Sequence, residues 1–251
     1  MTRNSPALPW LMALTGTLLL AREAVFYIGF AILGSSINWP ASLGLPAEEI
    51  FILLRDESVA MFAGYYVYLI SSAMFVPVAV CLRALIAGEV QLTTLMADIA
   101  LAFAILSAAF RVVGILRWLF AMPLLSQTYF DPESSQALRD ATLMTYEVLN
   151  AFAGQIGEHL GVRLFATLFV GFFAIAFFRS SRVPTLFAVW AAVSALLFFP
   201  LEELIGVDGG PILFINGFTF SFWAIFFGGY LLVTASRRAG ISLANGARYD
   251  Q

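Results

Sequence analysis

The sequence predicts an all-α fold, a polytopic bundle of six membrane-spanning helices. Three observations carry this. The chain of 251 residues is 61% hydrophobic and 12% charged, whereas soluble domains are nearer half apolar and a quarter charged. Six apolar runs approach or exceed the roughly 20 residues that a spanning helix needs. The arginines also segregate: Arg3, Arg83, Arg179, Arg182, Arg237, Arg238 and Arg248 fall on one side of the spans, and only Arg55 and Arg139 fall in connections on the other.

The predicted spans are about 9–34, 58–82, 95–123, 157–178, 184–201 and 211–235. At this length they form a single membrane-embedded domain over 1–251. The positive-inside rule places both termini in the cytoplasm of a bacterial inner membrane. The first run carries Arg22 and Glu23 and lacks a small-residue cleavage site, so it reads as a retained helix.

Short helices are expected on the outer surface in loops 1 and 3. In "LPAEEIFILLRDE", Pro46 suits the first helical position and is followed by acids in the first turn. In "DPESSQALRDATLMTYEVL", Asp131 is the expected N-cap, with Pro132 next. This second helix leads toward the fourth span. The short cytoplasmic "RSSRVP" makes spans four and five antiparallel neighbours.

Composition excludes several functions. Net charge is −3 with no basic patch, which argues against a nucleic-acid partner. The chain has no lysine, so Schiff-base and Walker-lysine chemistry are absent. Cys81 is the one cysteine and reads as a small buried apolar residue. One histidine and no Glu-x-x-His pair give no di-metal pattern. No nucleophile elbow, P-loop or dinucleotide fingerprint occurs. No metal and no cofactor is implied.

The informative residues are charges placed deep in apolar helices. With Arg179 at the inner boundary, Arg163 lies about 24 Å along the fourth span, and Glu158 and His159 about 30 Å along. Arg22, Glu23 and Arg111 lie roughly 18–20 Å along the first and third spans. A charge at a helix centre costs about 2.5–3.5 kcal/mol on insertion scales, so these groups should face the bundle interior. Arg117, Glu147, Glu158, Glu202 and Glu203 stand at the outer rim. Arg22, Arg111 and Arg163 outnumber the deep acid Glu23, so a rim glutamate or an anion from outside must balance them.

The expectation is an outward-opening polar cavity lined by Arg22, Glu23, Arg111, Glu158, His159 and Arg163, with Glu202 and Glu203 near its mouth. Glu147, Ala151, Gly154 and Glu158 share an α-helical face, with Gln155, His159 and Arg163 on a neighbouring stripe. Gly154, Gly157 and Gly161 favour close helix approach. Arg111 and Arg117, six residues apart, point away from each other. The aromatic "GYYVYL" and "FTFSFWAIFF" read as lipid contact and packing, and Asn216, Thr219 and Ser221 as helix–helix hydrogen bonding.

Such a cavity suits a small anionic or lipid-derived ligand, held by Arg111 and Arg163, with Arg22–Glu23 as its floor and His159–Glu158 as a pH-sensitive pair. Two other readings stand beside it. One is an intramembrane enzyme with Glu158, His159 or Glu23 as the acid–base group. The other is an accessory subunit whose ion pairs are purely structural, with a membrane-protein partner. Membrane lipids are partners in every case.

The stretches "ESVAMFAGYYVYLISSAMFVPVAVCLRAL", "LMADIALAFAILSAAFRVVGILRW" and "LFATLFVGFFAIAFFRSSRVPTLFAVWAAVSALLFF" succeed one another over most of the chain. Together they resemble a bacterial multi-pass membrane family, domain of unknown function 4386. The match rests on an "AAFR" arginine, a Gly-rich apolar helix and an S-x-x-P turn, carried here by Arg111, Gly171 and Pro184. The resemblance implies topology and no activity. "GEHLGVR" lies outside it.

Overall fold

The computed structural model describes residues 7–199 and 210–249. All regular structure among them is helical. The helices are α1 (Ala7–Ile37), α2 (Ala47–Asp56), α3 (Ser58–Ala73), α4 (Phe75–Ile86), α5 (Gln91–Leu116), α6 (Met122–Phe130), α7 (Gln136–Gln155), α8 (Phe165–Arg179), α9 (Thr185–Phe198) and α10 (Gly210–Tyr249). A 3-10 turn, Ala41–Gly44, precedes α2. Two π-helical segments, Arg117–Ala121 and Ile156–Leu164, join α5 to α6 and α7 to α8.

Among the described residues, five stretches are long and apolar enough to cross a membrane: Ala7–Ile37, Ser58–Ile86, Gln91–Phe130, Gln136–Arg179 and Ile215–Gly240. Thr185–Phe198 is a shorter apolar helix. This is the expected membrane bundle, with longer helices than the apolar runs alone suggest. Exposed Ile28, Phe62, Ile105, Val113, Ile175 and Phe226 show apolar residues on outward faces too, as expected of helices whose solvent is lipid.

Local chemistry explains the boundaries. Pro77 has no amide hydrogen to donate to Ala73, and α3 and α4 are separated at Met74. Gly88 adopts φ 83° after α4, a left-handed turn that favours glycine. The N-cap of α7 is Ser135, whose hydroxyl accepts from the Leu138 amide at 3.3 Å. Asp131 instead accepts from the Glu133 amide at 2.9 Å, capping a turn one step earlier. This corrects the assignment of Asp131 as N-cap. Likewise Pro46 is the N-cap of α2, not its first helical residue. Ser135→Ala is expected to lower stability by about 1 kcal/mol, seen as a lower thermal midpoint, with a smaller drop for Asp131→Ala.

The chain divides into two compact units, 1–23, 74–107 and 163–251 in the first, 24–73 and 108–162 in the second. In the first, α9 packs against α8 and α10. Trp190 Nε1 donates to the Thr219 carbonyl and Trp223 Nε1 to the Phe187 carbonyl, each at 3.0 Å. Phe169, Phe173, Phe177 and Phe227 fill this core. The loop after α8 is locked to the loop after α4. Arg182 Nη1 donates to the Leu85 and Ala87 carbonyls at 2.6 and 3.0 Å, and its Nε lies 3.7 Å from Glu89. Glu89 accepts from Ser180 Oγ at 2.8 Å and the Ser181 amide at 3.3 Å.

In the second unit, α2 is docked. Its apolar face, Ile50, Phe51 and Leu54, joins a core with Leu33, Met61, Tyr65, Trp118, Met122 and Tyr146. Ser126 Oγ donates to the Phe51 carbonyl at 2.9 Å. The opposite face is polar. There Arg55 bonds Asp56 at 2.8 Å and holds its carboxyl below the usual carboxylate range. That pair favours folding above the ordinary aspartate pKa and is lost as pH falls through the lowered one. Being fully exposed, it is well screened by water and salt.

Candidate functional site

The second unit contains an unusually close helix contact, built from glycines. A Cβ on Gly114 would stand 2.7 Å from the Gly157 Cα, and one on Gly161 would stand 2.8 Å from the Arg111 amide nitrogen. One on Gly154 would stand 3.2 Å from Arg117 Nη1. Arg111, Gly114 and Arg117 therefore meet Gly161, Gly157 and Gly154 in turn, an antiparallel ladder with three rungs. The glycines allow the close approach expected of small residues in membrane helices. At Gly161 and Gly154 the space that a side chain would take is filled by Arg111 and Arg117.

Both sides of this contact depart from α-geometry. The π segment Ile156–Leu164 carries Glu158, His159 and Arg163, and the segment Arg117–Ala121 begins at Arg117. In a π-helix the backbone bond runs to the fifth residue rather than the fourth. The stripe Gln155, His159 and Arg163, drawn with α-spacing, is therefore altered through this segment, whereas Gly154 and Glu158 still meet one side chain, Arg117. Such wide turns are frequent at functional sites.

At one end of the ladder, Arg117 is 9% exposed. Tyr65 and Tyr146, 2% and 3% exposed, are its neighbours within electrostatic range. The hydroxyls of both tyrosines and the Nε of Arg117 have no hydrogen-bond partner among the described residues. Tyr65 stacks on Trp118 at 5.2 Å with parallel rings, and the Arg117 guanidinium lies 5.3 Å from a Trp118 ring centroid. Tyr146 is held edge-on to Phe51. The nearest counter-charge is Glu158, whose carboxylate is 3.9 Å from Arg117 Nη2, beyond hydrogen-bond distance, with the side chain half exposed. The Arg117 Nε and the two phenol hydroxyls are thus buried donors within one unit, each without a partner among the described residues. Leaving such donors unmade is costly in a buried site.

The sequence-selected residues are distributed as follows. Arg111 is buried, Glu158 exposed and His159 half-buried, all in the second unit. Arg22 and Glu23 are buried in the first unit, where Arg163 is half-buried. Arg22 bonds the neighbouring Glu23, and its guanidinium lies 4.4 Å from the Phe75 ring centroid and 5.7 Å from that of Phe220. Glu202 and Glu203 lie outside the described residues. Thr219 bonds its own helix through the Ile215 carbonyl, and the Asn216 side chain has no hydrogen-bond partner among the described residues. A groove of about 410 Å³ between α8 and α9 is lined by apolar residues and Thr167, with none of the charged candidates.

Sequence reasoning placed Arg117 at the rim but not in the site, and gave Tyr65 and Tyr146 no role. The signal available was the i, i+4 pair Gly154 and Glu158, a gap and an acid that meet the same guanidinium.

A family model described as a domain of unknown function (DUF4386) matches residues 14–235. No curated protein matches the chain, and no solved structure does.

Proposed function

Because the chain belongs to the family of the domain of unknown function DUF4386, which assigns it no chemistry, we propose a function from the site itself: binding of a small anionic or lipid-derived molecule. The carrying observation is the buried Arg117 with the Tyr65 and Tyr146 hydroxyls and its own Nε lacking hydrogen-bond partners among the described residues. A guanidinium and two phenols are donors, and an oxyanion satisfies all three at once. Arg111, buried further along the ladder, adds positive charge to the same unit. The distribution of arginines supports a bacterial inner membrane with both termini in the cytoplasm. Arg117 and Glu158 then stand near the outer surface.

Native mass spectrometry of the detergent-purified protein tests this, with Arg117→Gln and Arg111→Ala alongside. A discrete adduct on the wild type that Arg117→Gln loses, with its fold intact by circular dichroism, is the expected result. A clean mass in all three, with lowered thermal midpoints in both variants, would sink the binding reading and leave arginines that only hold helices together. Arg22 and Glu23 favour that structural role within their own unit, since they bond each other and the guanidinium lies against phenylalanine rings.

A further inference from the structure

Resting on the reading of Arg117 as an anion site, we infer that the ligand is a zwitterion: a phospholipid headgroup whose phosphate meets Arg117, Tyr65 and Tyr146 and whose ammonium meets Glu158. Glu158 does not pair with Arg117 at close range. Its carboxylate stands 3.9 Å from Arg117 Nη2 and makes no hydrogen bond to it. An arginine and a glutamate this close commonly form a bidentate pair. Here the acid stays half exposed, while the arginine Nε and two phenol hydroxyls remain unused.

An oxyanion seated on those donors alone would be pushed by Glu158 a few ångströms away. Coulomb repulsion at such a distance is appreciable in a site of low dielectric. A ligand that carries a positive group next to its anion turns that repulsion into attraction. The phosphate–ammonium pair of an ethanolamine headgroup has this arrangement. Its primary ammonium also supplies hydrogen-bond donors for an acceptor-only carboxylate.

A lipid rather than a soluble zwitterion is favoured by the surroundings. Phe120 follows Arg117 by three residues, and Val148 and Phe152 share a face of α7 just before Gly154. All three are more than 60% exposed. Acyl chains hanging from a headgroup on Arg117 would lie on such side chains. By helical rise Arg117 is about 28 Å along the third span from Asp98, at the level of headgroups in a hydrocarbon core of about 30 Å. An arginine and aromatic residues are the groups expected at that level.

The test is retention of defined lipids by the full chain after delipidation, read by native mass spectrometry. The probes are phosphatidylethanolamine and phosphatidylglycerol, with soluble O-phosphoethanolamine as competitor. The wild type should hold phosphatidylethanolamine about tenfold or more tighter than phosphatidylglycerol, the size of one charge-assisted contact. Glu158→Gln should erase that preference, and Arg117→Gln should release both lipids. Tyr146→Phe keeps the ring against Phe51 and removes only the hydroxyl, so it should weaken both lipids without unfolding the protein.

Equal retention of the two lipids by the wild type, still dependent on Arg117, would overturn the zwitterion and leave the anion site standing. Retention unchanged in both Arg117→Gln and Tyr146→Phe would overturn the anion site as well. Displacement of the lipid by equimolar O-phosphoethanolamine would overturn the lipid as the source of the headgroup.

Discussion

Gly114→Leu is expected to unfold the second unit at ordinary temperatures or to lower its thermal midpoint sharply. A Cβ at Gly114 falls 2.7 Å from the Gly157 Cα and 3.2 Å from the Ala153 carbonyl oxygen. These are backbone atoms, which cannot rotate away as a side-chain tip does. Overpacking of a well-filled contact costs typically about 1–3 kcal/mol, and more where neighbours cannot yield. Gly114→Ala should sit near the lower figure and Gly114→Leu beyond the upper one. The control is Gly229→Ala in α10, where nothing lies within 4 Å of the added carbon. That change should be neutral or stabilising by up to about 1 kcal/mol, since alanine is the better helix former. Thermal melts in one detergent measure all three. A Gly114→Leu midpoint equal to that of Gly229→Ala would show that the ladder is not closely packed.

Arg182→Ala is the second large effect expected, in the first unit. The guanidinium serves two carbonyls that end α4 and faces the buried carboxylate of Glu89. Both side chains are 9% exposed. Removing one member of a buried pair leaves an uncompensated charge, a loss of about 3–5 kcal/mol. Arg182→Met combined with Glu89→Met should recover part of that loss, because no lone charge remains. The carbonyls of Leu85 and Ala87 stay short of a donor, so recovery should be incomplete. A double-mutant cycle read from thermal midpoints gives the coupling. A coupling near zero would mean that Glu89 is satisfied by Ser180 and the Ser181 amide without its arginine.

The membrane helices were legible because lipid imposes a length and a composition on any spanning element. The apolar runs gave their centres, and the structure extends them where polar residues continue the helix beyond the apolar core, as in Gln136–Arg179. The cap of α7 was misread because Asp131 and Ser135 are both competent acceptors. Which of them starts the helix depends on a turn that Pro132 and Glu133 form first.

The site was legible only in part. Deep arginines are visible because a charge in an apolar run is conspicuous, so Arg22, Arg111 and Arg163 were found. Arg117 was placed at the rim because depth was counted along one helix. Its burial comes from tertiary packing, with Gly154 of α7 against its guanidinium, which no spacing within the third span encodes. The π segments were invisible for a related reason. A wide turn is selected by what packs against it, and the periodicity of side chains near it still looks α-helical.

The Arg182 lock has a consequence for how this membrane protein presents itself to enzymes. Arginine-directed proteolysis is a common way of asking which side of a bilayer a loop occupies. Two arginines stand at the α8–α9 connection, Arg179 as the last residue of α8 and Arg182 in the loop, and they are unequal as cleavage sites. Arg179 is exposed, whereas Arg182 has its guanidinium committed to the end of α4 and is followed by the rigid Val183–Pro184 step. A protease needs that guanidinium for its own specificity pocket, so the loop would report its side of the membrane through one scissile bond rather than two.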